Sequence, residues 1–248
     1  MKYIKLYEDF SDKVLDNLED VKWIIVSFCD DRIYYKLLTN YEDKIVIYSL
    51  SDKQTNKEEF ESLGGRIKDL NPKYEYLVTK GKIAIGLPKY LKVFKELEKF
   101  GIENYTFNDD FSIDVNGDVN LYGKGLTKLP IKFRNVYGNF DISNNKLTSL
   151  IGSPKMISSY FDCRFNKLTS LEGCVEVVGD SFNCFSNKLT SLEGGPKIVG
   201  GDFYCTTNKL TSLKGSPEKV GGDFYCSNNK LLSLEYIGDV GGEIFSDF

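Results

Sequence analysis

The chain contains no histidine. That absence removes the usual proton shuttle at neutral pH, the commonest metal ligand, and every Ser-His or Cys-His nucleophile pair. Catalysis would fall to carboxylates, lysine, tyrosine or an unassisted thiol, so a non-enzymatic role without cofactor or metal is expected. A surplus of one charge sign is also lacking: 32 Lys and Arg stand against 36 Asp and Glu, near-evenly balanced in each half of the chain. Neither half has the basic balance that draws a protein to nucleic acid or to a membrane surface. No apolar run reaches the roughly 18 residues that a spanning helix needs. The start, MKYIKLYEDF, is charged and aromatic, unlike the basic tip and apolar stretch of a secretory signal. A cytoplasmic setting with reduced thiols is the expectation.

What the chain does have is a repeat. Asn-Lys-Leu recurs at 145–147, 166–168, 187–189, 208–210 and 229–231, a step of 21 each time. A degenerate earlier copy falls at Leu126, with Lys124 in the Asn position. After Leu231 the frame slips, because VGGEIFSDF begins one residue early, at Val240. Each copy follows V-x-x-x-F-x-C-x-x-N-x-L-x-x-L. Its Phe column is Phe140, Phe161, Phe182, Phe203 and Phe224; two residues on come Ile142, Cys163, Cys184, Cys205 and Cys226. Residues two apart on a strand share a face, so F-x-C points both side chains inward. An Asn just past the strand can turn its amide inward and satisfy backbone groups of its own and the neighbouring coil. Gly152, Gly173, Gly194 and Gly215, with Pro154, Pro196 and Pro217 two residues later, suit tight return turns and leave little room for a helix. Strands stacked about 4.8 Å apart would make a seven-stranded sheet roughly 30 Å long.

This frame resembles the leucine-rich repeat, LxxLxLxxNxL, with Phe and Cys in two of the Leu positions. NKLTSL is similar to the short repeats of bacterial secreted effectors, which read N-x-L-T-S-L-P. The resemblance covers residues 115–248; before it, an α+β N-terminal domain is expected over residues 1–108. A leucine-rich-repeat solenoid follows over 109–248, with a parallel β-sheet and little or no convex-side helix. It also implies a concave binding face, made by the residues between the inward positions: Asp141, Tyr160, Asp162, Arg164, Phe185, Asp202, Tyr204, Asp223 and Tyr225. Exposed aromatics and Arg among small acidic residues form an interface-like mixture, although Asp and Tyr also suit an ordinary solvated strand face.

The cysteines separate the functional classes. Zinc sites use close pairs and four converging ligands, whereas thiols 21 residues apart in a solenoid form a line. Distance alone allows disulfides between adjacent coils, but a reducing compartment opposes them. Free Cys otherwise packs as a small apolar residue. The first coil pairs Val119 with Leu121 and the second Phe140 with Ile142; where Phe persists the partner shrinks to Cys, as a core of constant volume requires. Cys174, outside the column, falls in a return turn. A second column, Lys146, Lys167, Lys188, Lys209 and Lys230, could attract phosphate. With Glu172, Glu193 and Glu235 recurring nearby, it reads instead as a solvated edge that opposes aggregation.

The first hundred residues lack the period. Helical spacing covers residues 10–21, strands are expected at 23–28 and 45–50, a short helix at 58–63, and a hairpin at 74–86. Pro88 opens a helix with Tyr90, Leu91, Phe94, Leu97 and Phe100 on one face, closed by Gly101. This domain is expected to cap the solenoid. Cys29-Asp30-Asp31 superficially resembles the Cys-x-Asp site of effector ubiquitin ligases. That catalytic domain, however, is larger and follows the repeats, and two aspartates oppose a thiolate. The opening decapeptide is similar to short leaders of some tailed-phage proteins; an ordinary amphipathic start explains it equally well.

The expectation is therefore a protein-binding module of a bacterium or its phage, engaging a protein partner through the concave face. Two alternatives stand: an enzyme with an N-terminal catalytic domain and substrate-selecting repeats, and a virion-associated structural protein. A homodimer through the last strand, near Phe245 and Phe248, fits the third reading.

Overall fold

The computed structural model describes the backbone of residues 3–5, 21–29, 32–39, 43–48, 75–79, 82–86, 88–108 and 110–247, and side chains of Lys89 and of residues 92–108 and 110–247. Two compact units divide the chain, Met1–Lys95 and Glu96–Phe248.

In the first unit six strands form one sheet: β1 (Tyr3–Lys5), β2 (Val21–Cys29), β3 (Arg32–Thr39), β4 (Asp43–Tyr48), β5 (Glu75–Thr79) and β6 (Lys82–Gly86), in the order β1-β4-β3-β2-β6-β5. Only β1 and β4 run parallel. The β-rich runs at 23–28 and 82–86 fall inside strands as their alternation predicts, and Cys29 ends β2 opposite Arg32. The helices expected at 10–21 and 58–63, and Asp30 and Asp31, lie outside the described residues.

Helix α1 (Pro88–Phe100) begins at its proline and ends at Gly101, whose φ of 66° admits the left-handed turn. The Ile102 amide bonds back to Leu97 O at 2.9 Å, closing the helix end. Phe94 and Leu97 of the expected apolar face are fully buried. After it, β7 (Tyr105–Phe107) and β8 (Ile113–Val115) make an antiparallel hairpin, and β9 (Val119–Asn120) opens the regular part.

From there on the chain is a parallel β-solenoid of about six coils with almost no helix. Every coil contributes two very short strands. The first ladder takes the Val column, from Val115 through Val136, Ile157, Val178, Val199 and Val220 to Val240; the second takes the Phe column, from Val119 through Phe140 to Phe224 and Ile244. Partners are 21 residues apart until the last step, where Val220 pairs Val240 and Phe224 pairs Ile244, the one-residue slip visible in the sequence. A single sheet was expected, and this is a correction: Val and Phe, four apart, lie on different ladders that meet at a corner. The corner is closed by backbone contact between coils. A Cβ at Gly200 or Gly221 would stand 2.1 Å from the carbonyl oxygen of the coil below, so only glycine allows that approach.

The interior is a spine of phenylalanines. Phe140, Phe161, Phe182, Phe203 and Phe224 are all fully buried, with successive ring centroids 5.0–5.4 Å apart. Each such contact is worth roughly 0.5–1.5 kcal/mol beyond its area. Cys163, Cys184, Cys205 and Cys226 are buried beside them as free thiols. Three of these thiols lie 3.3–3.5 Å from the carbonyl oxygens of Tyr204, Tyr225 and Phe245 in the next coil. Burial pushes the Cys163, Cys184 and Cys205 thiols well up. The column therefore packs, as its volume match to Phe predicts.

The asparagine column behaves as the sequence implies. Asn166 Nδ2 donates to Cys163 O in its own coil at 3.1 Å and to Ile142 O in the coil before at 3.0 Å. Its Oδ1 accepts the Leu147 amide at 2.9 Å. Asn145, Asn187, Asn208 and Asn229 repeat the pattern. Just before each Asn stands a left-handed residue: Asn144, Phe165, Ser186, Thr207 and Asn228, with φ between 51° and 57°.

Candidate partner-binding face

The outward surface of the second ladder holds the nine side chains singled out in the sequence, and the structure sorts them into three rows. The strand row runs Asn120, Asp141, Asp162, Asn183, Tyr204, Tyr225, Phe245. Its polar members close the strand locally. Asp141, Asp162 and Asn183 each accept, on Oδ1, the amide two residues ahead, at 2.9–3.0 Å. Asp162 is only 3% exposed, and its burial raises the carboxyl above the usual range despite Arg164, whose Nε lies 3.1 Å from Oδ2. Asp162 is thus part of the wall, while Arg164 reaches solvent.

Farther along, the same row becomes aromatic. Tyr204 and Tyr225 stack with centroids 4.6 Å apart, and Phe245 continues the stack on Tyr225 at 4.6 Å, the planes within 9° and 4°. The Tyr204 hydroxyl donates to Asp202 Oδ2 at 2.8 Å and the Tyr225 hydroxyl to Asp223 Oδ2 at 3.0 Å. Those bonds to carboxylates, with some desolvation, hold both phenols in their neutral form above the ordinary tyrosine range; burial is the larger cause for Tyr204 and the Asp223 bond for Tyr225.

Asp202 and Asp223 belong to the corner row, with Asp118, Asn139, Tyr160, Ser181 and Glu243. This row is a second ladder of side chains. Asp202 Oδ1 accepts the Asp223 amide at 2.8 Å, and Asp223 Oδ1 accepts the Glu243 amide at 2.8 Å. Tyr160 therefore does not stand with Tyr204 and Tyr225. It occupies the corner, where its hydroxyl accepts from Asn183 Nδ2 at 3.0 Å and burial pushes its pKa up to about 12. Arg164 and Phe185 form the third row, and Phe185 meets Phe165 edge-on at 5.2 Å.

Two residues of this surface were missed in the sequence. Phe245 joins the Tyr225 column only once the 20-residue final step is applied. Phe165, 48% exposed, sits at the left-handed position, which no common residue type marks. The lysine column lies on another side: Lys146, Lys167, Lys188, Lys209 and Lys230 are all exposed. Glu193, from the glutamate column, pairs instead with Lys214 at 2.9 Å.

Among the described residues no group of His, Cys, Asp or Glu could hold a metal ion, and no helix is long and apolar enough to cross a membrane. Comparison with family models, curated proteins and solved structures found no match.

Proposed function

We propose that the chain is a non-enzymatic binding module that engages a protein partner through the outward face of its second ladder. The observation that supports this best is the half-exposed stack of Tyr204, Tyr225 and Phe245 flanked by Asp202 and Asp223. Aromatic area next to fixed carboxylates is the composition of an interface centre. Both tyrosines are held by a hydroxyl bond and by ring stacking, so little side-chain freedom is left to lose on binding. The acidic flank favours a partner segment carrying Lys or Arg. The kinship with leucine-rich repeats is part of the same reading: the inward Asn ladder and the Leu columns are what that frame uses, and a bacterial or phage cytoplasm fits its reduced, buried thiols.

The test is affinity capture from host lysate with the native chain and with the Tyr160→Ala, Tyr204→Ala, Tyr225→Ala triple variant, after circular dichroism has shown both to be folded. Loss of a specifically captured protein is expected. Undiminished capture by the folded variant overturns the assignment of this face.

A further inference from the structure

The first ladder also has an outward face, and its chemistry is of another kind. Met156, Val177 and Ile198 are paired neighbours on successive strands, facing away from the core. Val177 is 39% and Ile198 45% exposed. One residue before each in the chain stands an exposed charge, and the next coil continues the row: Lys155, Glu176, Lys197, Glu218. Backbone hydrogen bonds carry the row from coil to coil, with Glu176 N to Lys155 O, Lys197 N to Glu176 O and Glu218 N to Lys197 O. These four form no ion pair among the described residues. An apolar stripe beside a row of alternating sign is an unspent pattern.

The alternation is self-complementary in one arrangement. A two-fold axis parallel to the strands, placed between the Val177 and Ile198 coils, lays two such faces together with their coils running in opposite directions. Glu176 then faces the partner subunit's Lys197, and Lys155 faces the partner subunit's Glu218. By symmetry each contact occurs twice. Val177 meets the partner subunit's Ile198, and Met156 lies along the methylenes of the partner subunit's Lys219. Shifting the axis onto the Val177 coil sets Lys155 against the partner subunit's Lys197. Shifting it onto the Ile198 coil opposes Glu176 to the partner subunit's Glu218. A parallel arrangement sets every charge against its own copy. The charge order thus permits one register and penalises its neighbours.

We infer that this face is a self-association surface whose occupant is a second copy of this chain, in the antiparallel register just described. The four coils span about 19 Å along the stack and the face is a few residues wide. That is less than the ~800 Å² per partner of a typical stable complex, so the dimer is reversible and its population follows concentration and falls with salt. It uses the other ladder from the one proposed for partner binding and stands or falls independently of that reading.

Sedimentation equilibrium of the full chain, from ~10 µM to ~1 mM at low ionic strength, tests it. A monomer–dimer equilibrium is expected for the native chain. Glu176→Lys and Lys197→Glu, each creating two like-charge contacts per dimer, weaken the dimer at least tenfold, a change of about 1.4 kcal/mol or more. The double variant Glu176→Lys, Lys197→Glu restores it to within about threefold of native. Both sites are exposed, and melting curves confirm that the variants fold. A monomer throughout the range overturns the proposal. So does a dimer that ignores the single reversals, or a double variant that stays as weak as the singles.

Discussion

Tyr204 and Tyr225 lie ring over ring, 4.6 Å apart and 9° from parallel, each hydroxyl bonded to the aspartate two residues before it. The stack is both an exposed surface and a structural device, and substitution separates the two. Tyr225→Phe keeps both ring contacts and loses only the bond to Asp223, so it costs about 1 kcal/mol or less. Tyr225→Ala loses the contacts to Tyr204 and Phe245 and costs about 1–3 kcal/mol. Urea unfolding of the two variants measures the difference; equal losses would show that the ring stack contributes nothing.

Asn166 bonds four backbone groups of two coils from one side chain. Asn166→Ala strands the Leu147 amide in a nearly water-free interior, at about 1–3 kcal/mol, while the Ile142 and Cys163 carbonyls each lose one of two donors and keep Asn145 Nδ2 and Asn187 Nδ2. A loss of about 1–3 kcal/mol is expected, larger than for any change in the exposed lysine column. Denaturant titration of Asn166→Ala beside Lys167→Ala compares the two directly.

Thr207 is a β-branched residue at φ 57°, a conformation that such side chains rarely take. Asn144 and Asn228 occupy the same column without that penalty. Thr207→Asn is therefore expected to raise stability by about 0.5–1 kcal/mol, seen as a higher melting midpoint. A lower midpoint would refute the strain argument.

Asp162 carries a carboxylate where Asn183 does the same turn-closing work one coil later. Its carboxyl is raised by burial, so the folded state favours the protonated form. Stability from this group is greatest below the unfolded Asp range near pH 4 and is lost as pH rises through the raised value. Asp162→Asn is thus expected to stabilise the protein at pH 7 by several tenths of a kcal/mol, with the gain shrinking toward pH 3. Melting curves at both pH values check the sign.

Tyr160 illustrates the same linkage at the alkaline end. Its pKa is pushed from 10.0 to about 12, chiefly by burial, and the buried thiols are raised as well. Protonated forms are favoured by the fold, so their contribution is whole below the unfolded thiol and phenol values. It declines as pH rises from about 9 toward 12. Native-state labelling gives a companion check: Cys163, Cys184 and Cys205 are expected to react with a thiol reagent only as the coils open.

How much of this was legible follows from what a stacked repeat does. Phe182 and Phe203 meet the same surroundings one coil apart, so the same residue recurs and the inward columns announce themselves. The Asn column is equally plain, because one side chain must serve two coils in every turn. The corner at Gly200 and Gly221 was harder to read, since those glycines mark a close approach between coils that the chain's own direction does not show. The left-handed column was invisible, because Asn144, Phe165, Ser186, Thr207 and Asn228 share a backbone angle and no side-chain chemistry.

By itself the sequence determined the period, the inward set and the slip at the last coil, because translation along a solenoid repeats one environment and selects one residue type for it. Only the tertiary structure decided that each coil bends into two ladders, which outward rows share a face, and that the column of Lys155, Glu176, Lys197 and Glu218 runs beside the exposed Val177 and Ile198. Those relations depend on where the backbone turns between strands. A turn is set by contact with the coil beneath, 21 residues away, and not by the residues that make it.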